Sequence, residues 1–416
     1  MHVVFITTEL ATSQNPSGGL ASFTANMARI FAANGHKVTI LLVLTKDEEM
    51  TFDNNITLIK IFVKKAVWEM LDKITKLCMF GNIKKADEVR KFLVNIFKSI
   101  QIKRKIHDIN RLNKIDIVHY CNLAAVAFRA DPKIPYVIRI SSFMNIWNGA
   151  NTIKGCIDYR KNRRSLTDKL TDYTLKKARY VVSPSRLLAD IGRRELNIKP
   201  TVIESPFVLN KFEWNYDIYN TELAGKKYIL HYGYLKYTKG THIVAEIAEK
   251  FLEQYPDFYL VLTGKSEYLF DEIDGNMSAD ELVRKKAGEY SNRVIYAGRL
   301  VREQLYPLIQ YAELCLLPSR IENLSNACIE AMAMGKIVVA TNGASYEQLI
   351  DNKISGFLCE RDKPKSYLQA INKALSMSFY ERQQMELRAV EATKRLEPQK
   401  VYEQYLAYYE KVIREW

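Results

Sequence analysis

The stretch VVFIT (residues 3–7), followed by LASFTANMARIFAAN (20–34) and VTILLV (38–43), decides the fold of this chain. The first and last runs are apolar and rich in β-branched residues, which is typical of buried strands. Between them the apolar side chains recur at helical spacing, and Gly35-His36 ends the helical pattern. This order of strand, helix and strand is a βαβ unit, which predicts a parallel, doubly wound α/β sheet.

Strand-like runs separated by helical stretches continue along the whole chain. They are expected at 115–120, 136–140, 180–183 and 201–203, and again at 228–232, 259–263, 294–296, 314–317, 337–340 and 356–359. Because the loop-like stretch 215–227 separates the two series, we predict two α/β halves hinged near 205–226. Ligands of open α/β sheets bind beyond the carboxyl ends of the strands, so a cleft between the halves is the expected site.

Positive charge is concentrated in one part of the chain. The formal net charge is +14, and residues 60–115 contain fifteen Lys and Arg against five Asp and Glu, a difference of +10. This segment interleaves lysines with apolar residues and Trp68, a pattern typical of a basic amphipathic helix on an anionic membrane surface. The alternative is an ordinary helix pair whose lysines are solvated. No nucleic-acid-binding module is recognisable, so nucleic acid is not an expected partner.

The six cysteines are scattered, without a C-x-x-C pair. In a chain of 416 residues this favours reduced, mostly buried thiols and a cytoplasmic protein over a disulfide framework or a zinc site. The apolar N-terminus has no basic n-region and ends at Thr8-Glu9, which indicates a buried strand and not a signal peptide. No apolar run reaches about 18 residues, so no transmembrane helix is expected.

Two glutamates flank the start of a predicted helix in PSRIENLSNACIEAMAMGKIVVA (318–340). A buried strand ends before this segment, Glu322 follows in a polar loop, and Ser325-Asn326 supplies an N-cap for the helix that carries Glu330. The backbone N–H groups at such a helix start suit a phosphate. With a diphosphate bound there, one carboxylate could accept hydrogen bonds from the hydroxyl groups of a ribose on one side. The other carboxylate could accept them from the hydroxyl groups of a sugar on the other side. The alternative is a pair of solvated glutamates, because the spacing alone recurs by chance.

The segment resembles the E-x7-E region of the retaining glycosyltransferases of family 4, and the resemblance continues at 341–347 and 356–358. The family has the GT-B fold, which implies two Rossmann-like, doubly wound parallel-sheet domains facing a central cleft. The implied domains are an acceptor-binding domain over 1–205 with the basic insert at about 60–115, a nucleotide-sugar-binding domain over 206–395, and a final helix over 396–416 that packs back on the first domain.

The final helix carries an apolar stripe at helical spacing. Its members are Tyr402, Tyr405, Leu406, Tyr409 and Val412. The resemblance and the stripe together predict that this helix packs in a core and does not bind a ligand.

The resemblance also implies roles for individual residues in the glutamate segment. Glu322 would contact the donor sugar and act in catalysis, and Glu330 would contact the ribose. The sugar and phosphate would further contact the backbone of Asn323, Leu324, Ser325 and Asn326.

Three further loops resemble those of the family. Gly18-Gly19 matches the glycine loop near the diphosphate and the acceptor, where the lack of a side chain lets the backbone approach a ligand closely. In GYLKYTKG (233–240), which begins with Gly233, Lys239 matches the diphosphate-binding lysine, a point charge that faces the departing nucleotide. Gly298 and Arg299 lie in a loop that matches the one that usually frames the nucleotide base in the family.

Two positions depart from the family pattern. Tyr234 stands where the family has an arginine, and Lys236 is the candidate to replace its charge, at a different offset. Ser141 stands where many relatives have a histidine near the reacting sugar, and a serine is a poor general base at neutral pH. Acceptor activation is therefore assigned elsewhere, or the leaving phosphate takes the proton. His119 is expected to be a strand-end residue.

The resemblance implies transfer of a hexose-type sugar from a nucleotide-diphosphate sugar to a hydroxyl acceptor, with retention at the anomeric carbon. UDP-sugar is the first expectation for the donor and GDP-sugar the second. No metal or other cofactor is expected, because no D-x-D stands at a strand end and the acidic cluster 271–274 falls in a predicted surface loop.

The basic segment favours a lipid-linked glycan acceptor presented at the inner face of the plasma membrane, as in bacterial surface polysaccharide synthesis. The alternatives are a non-catalytic GT-B scaffold or partner subunit, and a nucleotide-sugar epimerase. The oligomeric state, the donor sugar and the linkage stay open.

Overall fold

The computed structural model describes residues 1–12, 18–45, 51–79, 82–152, 155–209, 213–271 and 275–416. These residues form two compact units. Unit 1 comprises Met1–Asn145, Tyr159–Val208 and Leu396–Trp416, and unit 2 comprises Ile146–Asp158 and Leu209–Arg395.

The strands of both units are short and mostly buried. In chain order they are β1 (His2–Thr7), β2 (Lys37–Val43), β3 (Thr57–Ile61), β4 (Ile117–Cys121), β5 (Tyr136–Arg139), β6 (Val181–Ser183), β7 (Thr201–Val202), β8 (Lys227–Tyr232), β9 (Phe258–Thr263), β10 (Tyr268–Asp271), β11 (Gly275–Ser278), β12 (Val294–Tyr296), β13 (Leu314–Leu317), β14 (Val338–Thr341) and β15 (Phe357–Cys359).

The helices alternate with these strands. In chain order they are α1 (Gly19–Ala33), α2 (Lys65–Cys78), α3 (Ile83–Leu112), α4 (Met144–Ala150), α5 (Leu166–Lys177), α6 (Arg186–Leu196), α7 (Thr241–Gln254), α8 (Ala279–Lys286), α9 (Arg302–Tyr311), α10 (Asn326–Ala333), α11 (Pro364–Leu375), α12 (Phe379–Thr393) and α13 (Pro398–Glu415).

Unit 1 is built on a parallel sheet whose seven strands, counted over the described residues, run in the order β3-β2-β1-β4-β5-β6-β7. The first strand has neighbours on both sides: Phe5 is in register with Ile40 of β2 and with His119 of β4. This is the doubly wound arrangement that the opening βαβ unit predicts.

The final helix α13 belongs to unit 1. Its tyrosines enter the core beneath α1, where the Tyr405 ring lies 5.7 Å from that of Phe23. The Tyr409 hydroxyl is 2.6 Å from Nδ1 of His119, which is buried in β4. His119 is therefore a core residue of this unit, and burial holds the pKa of its imidazole well below the ordinary value.

The basic segment 60–115 begins in β3, which was not anticipated from the sequence, and continues as α2 and α3. The two helices contact each other, and the guanidinium of Arg90 lies 4.3 Å above the Trp68 ring. Several apolar side chains of the pair stay in solvent, with Leu77 82% and Ile83 72% exposed. The segment is thus a helix pair with an exposed apolar and basic surface.

Unit 2 contains a six-stranded parallel sheet in the order β12-β9-β8-β13-β14-β15 within the described part of the chain. The antiparallel hairpin of β10 and β11 was not anticipated. It changes the interpretation of the acidic cluster 271–274, because Asp271 ends β10 and is not in a loop. Residues 272–274 lie outside the described residues.

Ile146–Asp158 groups with unit 2, although the sequence places it inside the range 1–205 of the first domain. The Arg320 guanidinium links this segment to the rest of unit 2 through hydrogen bonds to the carbonyl oxygens of Ala150, Thr152 and Gly155. Among the described residues, no helix is long and apolar enough to cross a membrane.

His231 joins three elements of unit 2. Nδ1 of this β8 residue is 2.9 Å from the carbonyl oxygen of Leu316 in β13, and Nε2 is 3.1 Å from the Thr241 hydroxyl at the start of α7. Because a carbonyl oxygen only accepts, Nδ1 carries the proton and Nε2 accepts from Thr241. Burial lowers the pKa of the imidazole from 6.5 to about 4.

We predict that acid destabilises unit 2 through His231. Below pH 6.5 the unfolded chain binds a proton that the native imidazole excludes, so the free energy of unfolding falls by about 1.4 kcal/mol per pH unit until pH approaches 4. Chemical denaturation of the wild type and of His231→Gln at several pH values between 7 and 4.5 measures this slope. The variant should be less stable at pH 7 but should show a slope flatter by about this amount.

The control is Thr241→Val, which keeps the imidazole and should retain the wild-type slope. A slope that His231→Gln leaves unchanged would contradict the prediction.

Candidate functional site

The loop between β13 and α10 buries the carboxylate of Glu322. Its Oε1 accepts hydrogen bonds from Nζ of Lys239, at 2.5 Å, and from Oγ of Ser319, at 2.8 Å. The backbone N–H of Glu322 donates to the carbonyl oxygen of Ala344 at 3.0 Å. A buried carboxylate needs such partners, and here one of them is a cation from a loop 83 residues away in sequence.

Lys239 ends the short 3₁₀ turn Tyr237–Lys239, which lies between β8 and α7. The next residue, Gly240, has φ 73° and packs against Pro318, where an added Cβ would lie 1.9 Å from the Pro318 carbonyl oxygen. Only glycine allows this approach of two backbones. The contact brings the turn against the β13–α10 loop and places Lys239 beside Glu322.

Ser325 caps α10, as predicted. Its side chain accepts a hydrogen bond from the backbone N–H of Cys328. The first backbone N–H groups of this helix, from Asn326 onward, point toward the loop that holds Glu322 and give it partial positive charge. Leu324 in the same loop is buried, and the carbonyl oxygen of Asn323 accepts from Oγ of Ser345 at 2.6 Å.

Glu330, one turn into α10, is buried against Arg302. Nε of Arg302 donates to Oε1 of Glu330 at 3.2 Å. Burial raises the pKa of the Glu330 carboxyl, and the charge and hydrogen bond of Arg302 act in the opposite direction. Glu330 is thus not a solvated glutamate. The sequence did not identify Arg302, because no motif links the first residue of α9 to α10.

Three glycines bring together the carboxyl ends of β8, β9 and β12. An added Cβ at Gly264 would lie 1.6 Å from the carbonyl oxygen of Gly233, so only glycine fits there. The Gly264 N–H and the Thr263 hydroxyl both donate to the carbonyl oxygen of Gly298, each at 2.8 Å. Arg299 follows in an exposed position.

Lys236 lies in the same region, with Nζ 5.0 Å from the centre of the Tyr234 ring and 3.8 Å from Oε1 of Glu267. Burial lowers the pKa of its ammonium group. A cation thus stacks on the tyrosine that stands at the family's arginine position.

The predicted residues of unit 1 lie at the carboxyl edge of its sheet. Gly18, with φ 47°, precedes α1, and Gly19 is the first residue of that helix. Ser141 follows β5; its N–H donates to Oδ1 of Asn122 at 2.7 Å, and its Oγ accepts from Nη1 of Arg139 at 3.2 Å. Asn122 also donates to the carbonyl oxygen of Ser142, so it fixes the backbone on both sides of the Ser141 peptide.

The structure brings some of the predicted residues into direct contact. Glu322 and Lys239 pair with each other, whereas Glu330 pairs with Arg302. Ser319 was not identified from the sequence. Its hydroxyl donates to Oε1 of Glu322 and accepts a hydrogen bond from the Tyr346 hydroxyl at 3.1 Å. All six cysteines are free, and no group of three or more His, Cys, Asp or Glu in the described ranges is arranged to hold a metal ion.

Part of the chain is similar in sequence to known proteins. Residues 216–395, which lie within unit 2, match the family model described as glycosyl transferases group 1. Among curated proteins the chain is similar to a putative glycosyltransferase YtcC of Bacillus subtilis, with 26% identity over 37% of this chain and 38% of that protein. It is also similar to a D-inositol 3-phosphate glycosyltransferase of Corynebacterium urealyticum, with 28% identity over 35% of this chain and 34% of that protein. The alignments thus span little more than a third of these relatives.

Similar solved structures cover the whole chain. Sucrose-phosphate synthase from Thermosynechococcus elongatus matches with a TM-score of 0.71 and 16% identity over 100% of both chains. The Anabaena protein HepE, solved with UDP and glucose, matches with a TM-score of 0.67 and 16% identity over 98% of both chains. The predicted fold class, GT-B with two Rossmann-like parallel-sheet domains, is confirmed.

We predict that the Arg302–Glu330 pair contributes to stability because each partner neutralises the other. Arg302→Met leaves a buried carboxylate without its cation and should lower the free energy of unfolding by about 2 kcal/mol, less than for a fully buried pair because the Arg302 side chain is 31% exposed. The double variant Arg302→Met/Glu330→Gln should recover more than half of this loss. Denaturant titration at pH 7 measures both values. A double variant as unstable as Arg302→Met would contradict the charge argument.

Proposed function

We propose that this chain is a retaining glycosyltransferase of family 4 that moves a hexose-type sugar from a nucleotide-diphosphate sugar to a hydroxyl acceptor. The observation that carries the proposal is the contact of Lys239 with the buried Glu322 beside the capped start of α10. One carboxylate, one ammonium group and a row of backbone N–H groups meet there. This combination suits a ligand that carries both hydroxyl groups and phosphates.

In this proposal Lys239 and α10 hold the diphosphate. A phosphate beside Nζ of Lys239 would share the ammonium with Glu322, and the N–H groups of Asn326 and Ala327 would donate to its oxygens. Negative charge on the diphosphate grows as the bond to the sugar breaks. Donors that are already in place stabilise this charge without reorganisation, which is why no metal or other cofactor is included.

Glu322 and Glu330 take the hydroxyl groups at the two ends of the donor. Glu322, held by Ser319, would accept from hydroxyl groups of the sugar, and Glu330 from those of the ribose. The loops at Gly233 and Gly298 would border the nucleotide because their backbones carry no side chain there. A UDP-sugar is our first proposal for the donor, in line with the UDP and glucose named for the HepE structure, and a GDP-sugar is the second.

Ser141 is the proposed acceptor-side residue of unit 1. Its hydroxyl can hydrogen-bond a sugar or acceptor hydroxyl, but Arg139 already donates to it, so it is not a general base. We therefore assign the acceptor proton to the departing phosphate. Gly18 and Gly19, at the start of α1, would leave room for acceptor or diphosphate at the same sheet edge.

We predict that the Lys239–Glu322 pair is required for transfer. A thermal-shift panel of UDP-, GDP-, ADP- and dTDP-sugars first selects the donor. With that donor, Glu322→Gln and Lys239→Met should each lower the rate of donor hydrolysis or transfer by at least about 100-fold, because each removes a group aimed at the reacting centre. The rate should be the same with excess EDTA.

The matched control is Glu360→Gln, which removes an exposed carboxylate of the same unit and should leave the rate unchanged. Full activity of Glu322→Gln would contradict the proposal. A wild-type protein that binds a donor but neither hydrolyses nor transfers its sugar would also contradict it. That second outcome would favour the scaffold alternative. Interconversion of the sugar on an intact donor would favour the epimerase alternative.

We further propose that the acceptor is a lipid-linked glycan of bacterial surface polysaccharide synthesis, reached by a peripheral cytoplasmic protein on the inner face of the plasma membrane. The support is the surface of α2 and α3. It combines the exposed side chains of Leu77 and Ile83 with the +10 charge of residues 60–115. Apolar residues beside lysines suit the boundary between acyl chains and anionic headgroups.

We predict charge-dependent binding to anionic vesicles. Four exposed lysines of this surface, Lys64, Lys65, Lys84 and Lys85, are changed to Gln. Each contributes about 1 kcal/mol near an anionic surface, so co-sedimentation with phosphatidylglycerol vesicles should weaken by at least about tenfold. Phosphatidylcholine vesicles should bind little protein in either case.

The control changes four exposed lysines of unit 2, Lys250, Lys363, Lys365 and Lys373, to Gln. The net charge of the protein falls equally in both variants. If vesicle binding weakens equally in the two variants, the loss is caused by the lower net charge and not by the change in this surface. That result would contradict the proposed membrane site.

A further inference from the structure

Arg320 is buried two residues before Glu322, with 6% of its surface exposed. Its guanidinium donates hydrogen bonds to four acceptors of the protein. Nη1 donates to the carbonyl oxygens of Ala150 at 3.0 Å and Thr152 at 2.7 Å, and Nη2 donates to that of Gly155 at 3.0 Å. Nε donates to Oδ2 of Asp362 at 3.1 Å. Only the planar fork of arginine reaches four acceptors in this way.

The Asp362 carboxylate ties this guanidinium to α7. Oδ1 of Asp362 is 3.3 Å from Nε2 of His242, the second residue of that helix. Burial acts to raise the pKa of Asp362, but the hydrogen bond from His242 and the charge of Arg320 outweigh it, so the pKa lies below its ordinary value. Asp362 therefore stays ionised and compensates the buried charge of Arg320.

Asn151 extends the same contact to the loop of Lys239. Its Oδ1 accepts from the Thr238 hydroxyl at 2.8 Å and from the Thr238 N–H at 3.4 Å. Thr238 immediately precedes Lys239, and its carbonyl oxygen accepts from the N–H of Arg320 at 2.9 Å. The chain from Ala150 to Thr152 thus bonds both loops, and the two loops bond each other.

We propose that Arg320 and Asn151 are positioning residues that hold Lys239 and Glu322 in the arrangement needed for sugar transfer. This inference rests on the proposed function of the Lys239–Glu322 pair. Neither residue is assigned a contact with the donor, because the hydrogen bonds of Arg320 end on protein carbonyls and on Asp362. Their effect on the reaction passes through the backbone at Thr238 and at residues 320–322.

The proposal has a kinetic signature. Charge stabilisation depends on distance and direction, so a displacement of about 1 Å lowers the rate by about 100-fold, whereas much of the donor affinity comes from groups that do not move. Loosening the two loops should therefore lower kcat more than it weakens donor binding.

The test compares two arginines of unit 2 that have the same structural task. Arg293 likewise donates to four protein acceptors, which are the carbonyl oxygens of Leu252, Tyr255, Pro256 and Phe258. It bonds the end of α7 and the loop after it, at the amino ends of the strands. Arg320→Gln and Arg293→Gln should thus lose similar thermal stability. Only Arg320→Gln should lower kcat, by about 10- to 100-fold, while the dissociation constant of the nucleotide diphosphate changes by less than about threefold.

A second pair of variants tests Asn151. Asn151→Ala should lower kcat by about tenfold and speed hydrogen exchange of the peptide that spans residues 236–241, because the Thr238 N–H loses its acceptor. Asn148→Ala, an exposed position in α4, should change neither quantity. The exchange measurement does not require activity, so it reports on the loop even if the donor has not been identified.

The outcomes separate the two proposals. If the wild type transfers sugar and Arg320→Gln behaves like Arg293→Gln, the positioning role is wrong and the proposed function stands. If donor affinity falls in parallel with kcat, Arg320 contributes to binding and the positioning role is also wrong. If the wild type has no transfer or hydrolysis activity but the exchange results hold, the proposed function fails while the structural link between the loops remains.

Discussion

The contact between Gly240 and the carbonyl oxygen of Pro318 determines how unit 2 can form a site. Two backbones meet there at a distance that no side chain at Gly240 would allow, and the left-handed φ of 73° excludes most other residues as well. The contact is possible because β8 and β13 are neighbours, with β9 on the far side of β8. The chain passes from β8 to β9 toward one edge of the sheet and later from β12 to β13, beyond β8, toward the other edge. The topological switch point, where ligands of such sheets bind, therefore lies between β8 and β13. Lys239 and Glu322 meet at this point.

The charges of the site are balanced in pairs before any ligand is considered. Glu322 has Lys239, Glu330 has Arg302, and Asp362 has Arg320. Taking an ion out of water is costly, and each pairing offsets part of that cost. In the proposed function, a diphosphate would bring further negative charge, which the ammonium of Lys239 and the start of α10 would meet. Many polar groups of these loops are bonded to the protein itself, and these bonds stabilise the loops.

Much of the fold could be predicted from the sequence, because apolar runs and helical spacing are local properties. The strands after β3 in the main sheets were located within about two residues. The strand β3 was missed because it lies at the edge of the basic segment. The β10–β11 hairpin was missed because its short strands show no regular alternation of apolar and polar residues. Glu322, Lys239 and Ser325 could be identified because they lie in motifs. Their partners Arg302, Arg320 and Asn151 could not, since each contact depends on how distant segments meet, and no local pattern encodes that.

The return of α13 to unit 1 has a consequence for the order in which the molecule matures on the ribosome. Tyr405, Tyr409 and Val412 fill the core that β1, α1 and β4 begin, so the half that is synthesised first lacks part of its interior until α13 has been made. Among the described residues, unit 2 combines Leu209–Arg395 with the earlier segment Ile146–Asp158, which has already been made by then. All parts of unit 2 are therefore synthesised before the last part of unit 1, which reverses the usual order in which domains are completed from the amino end.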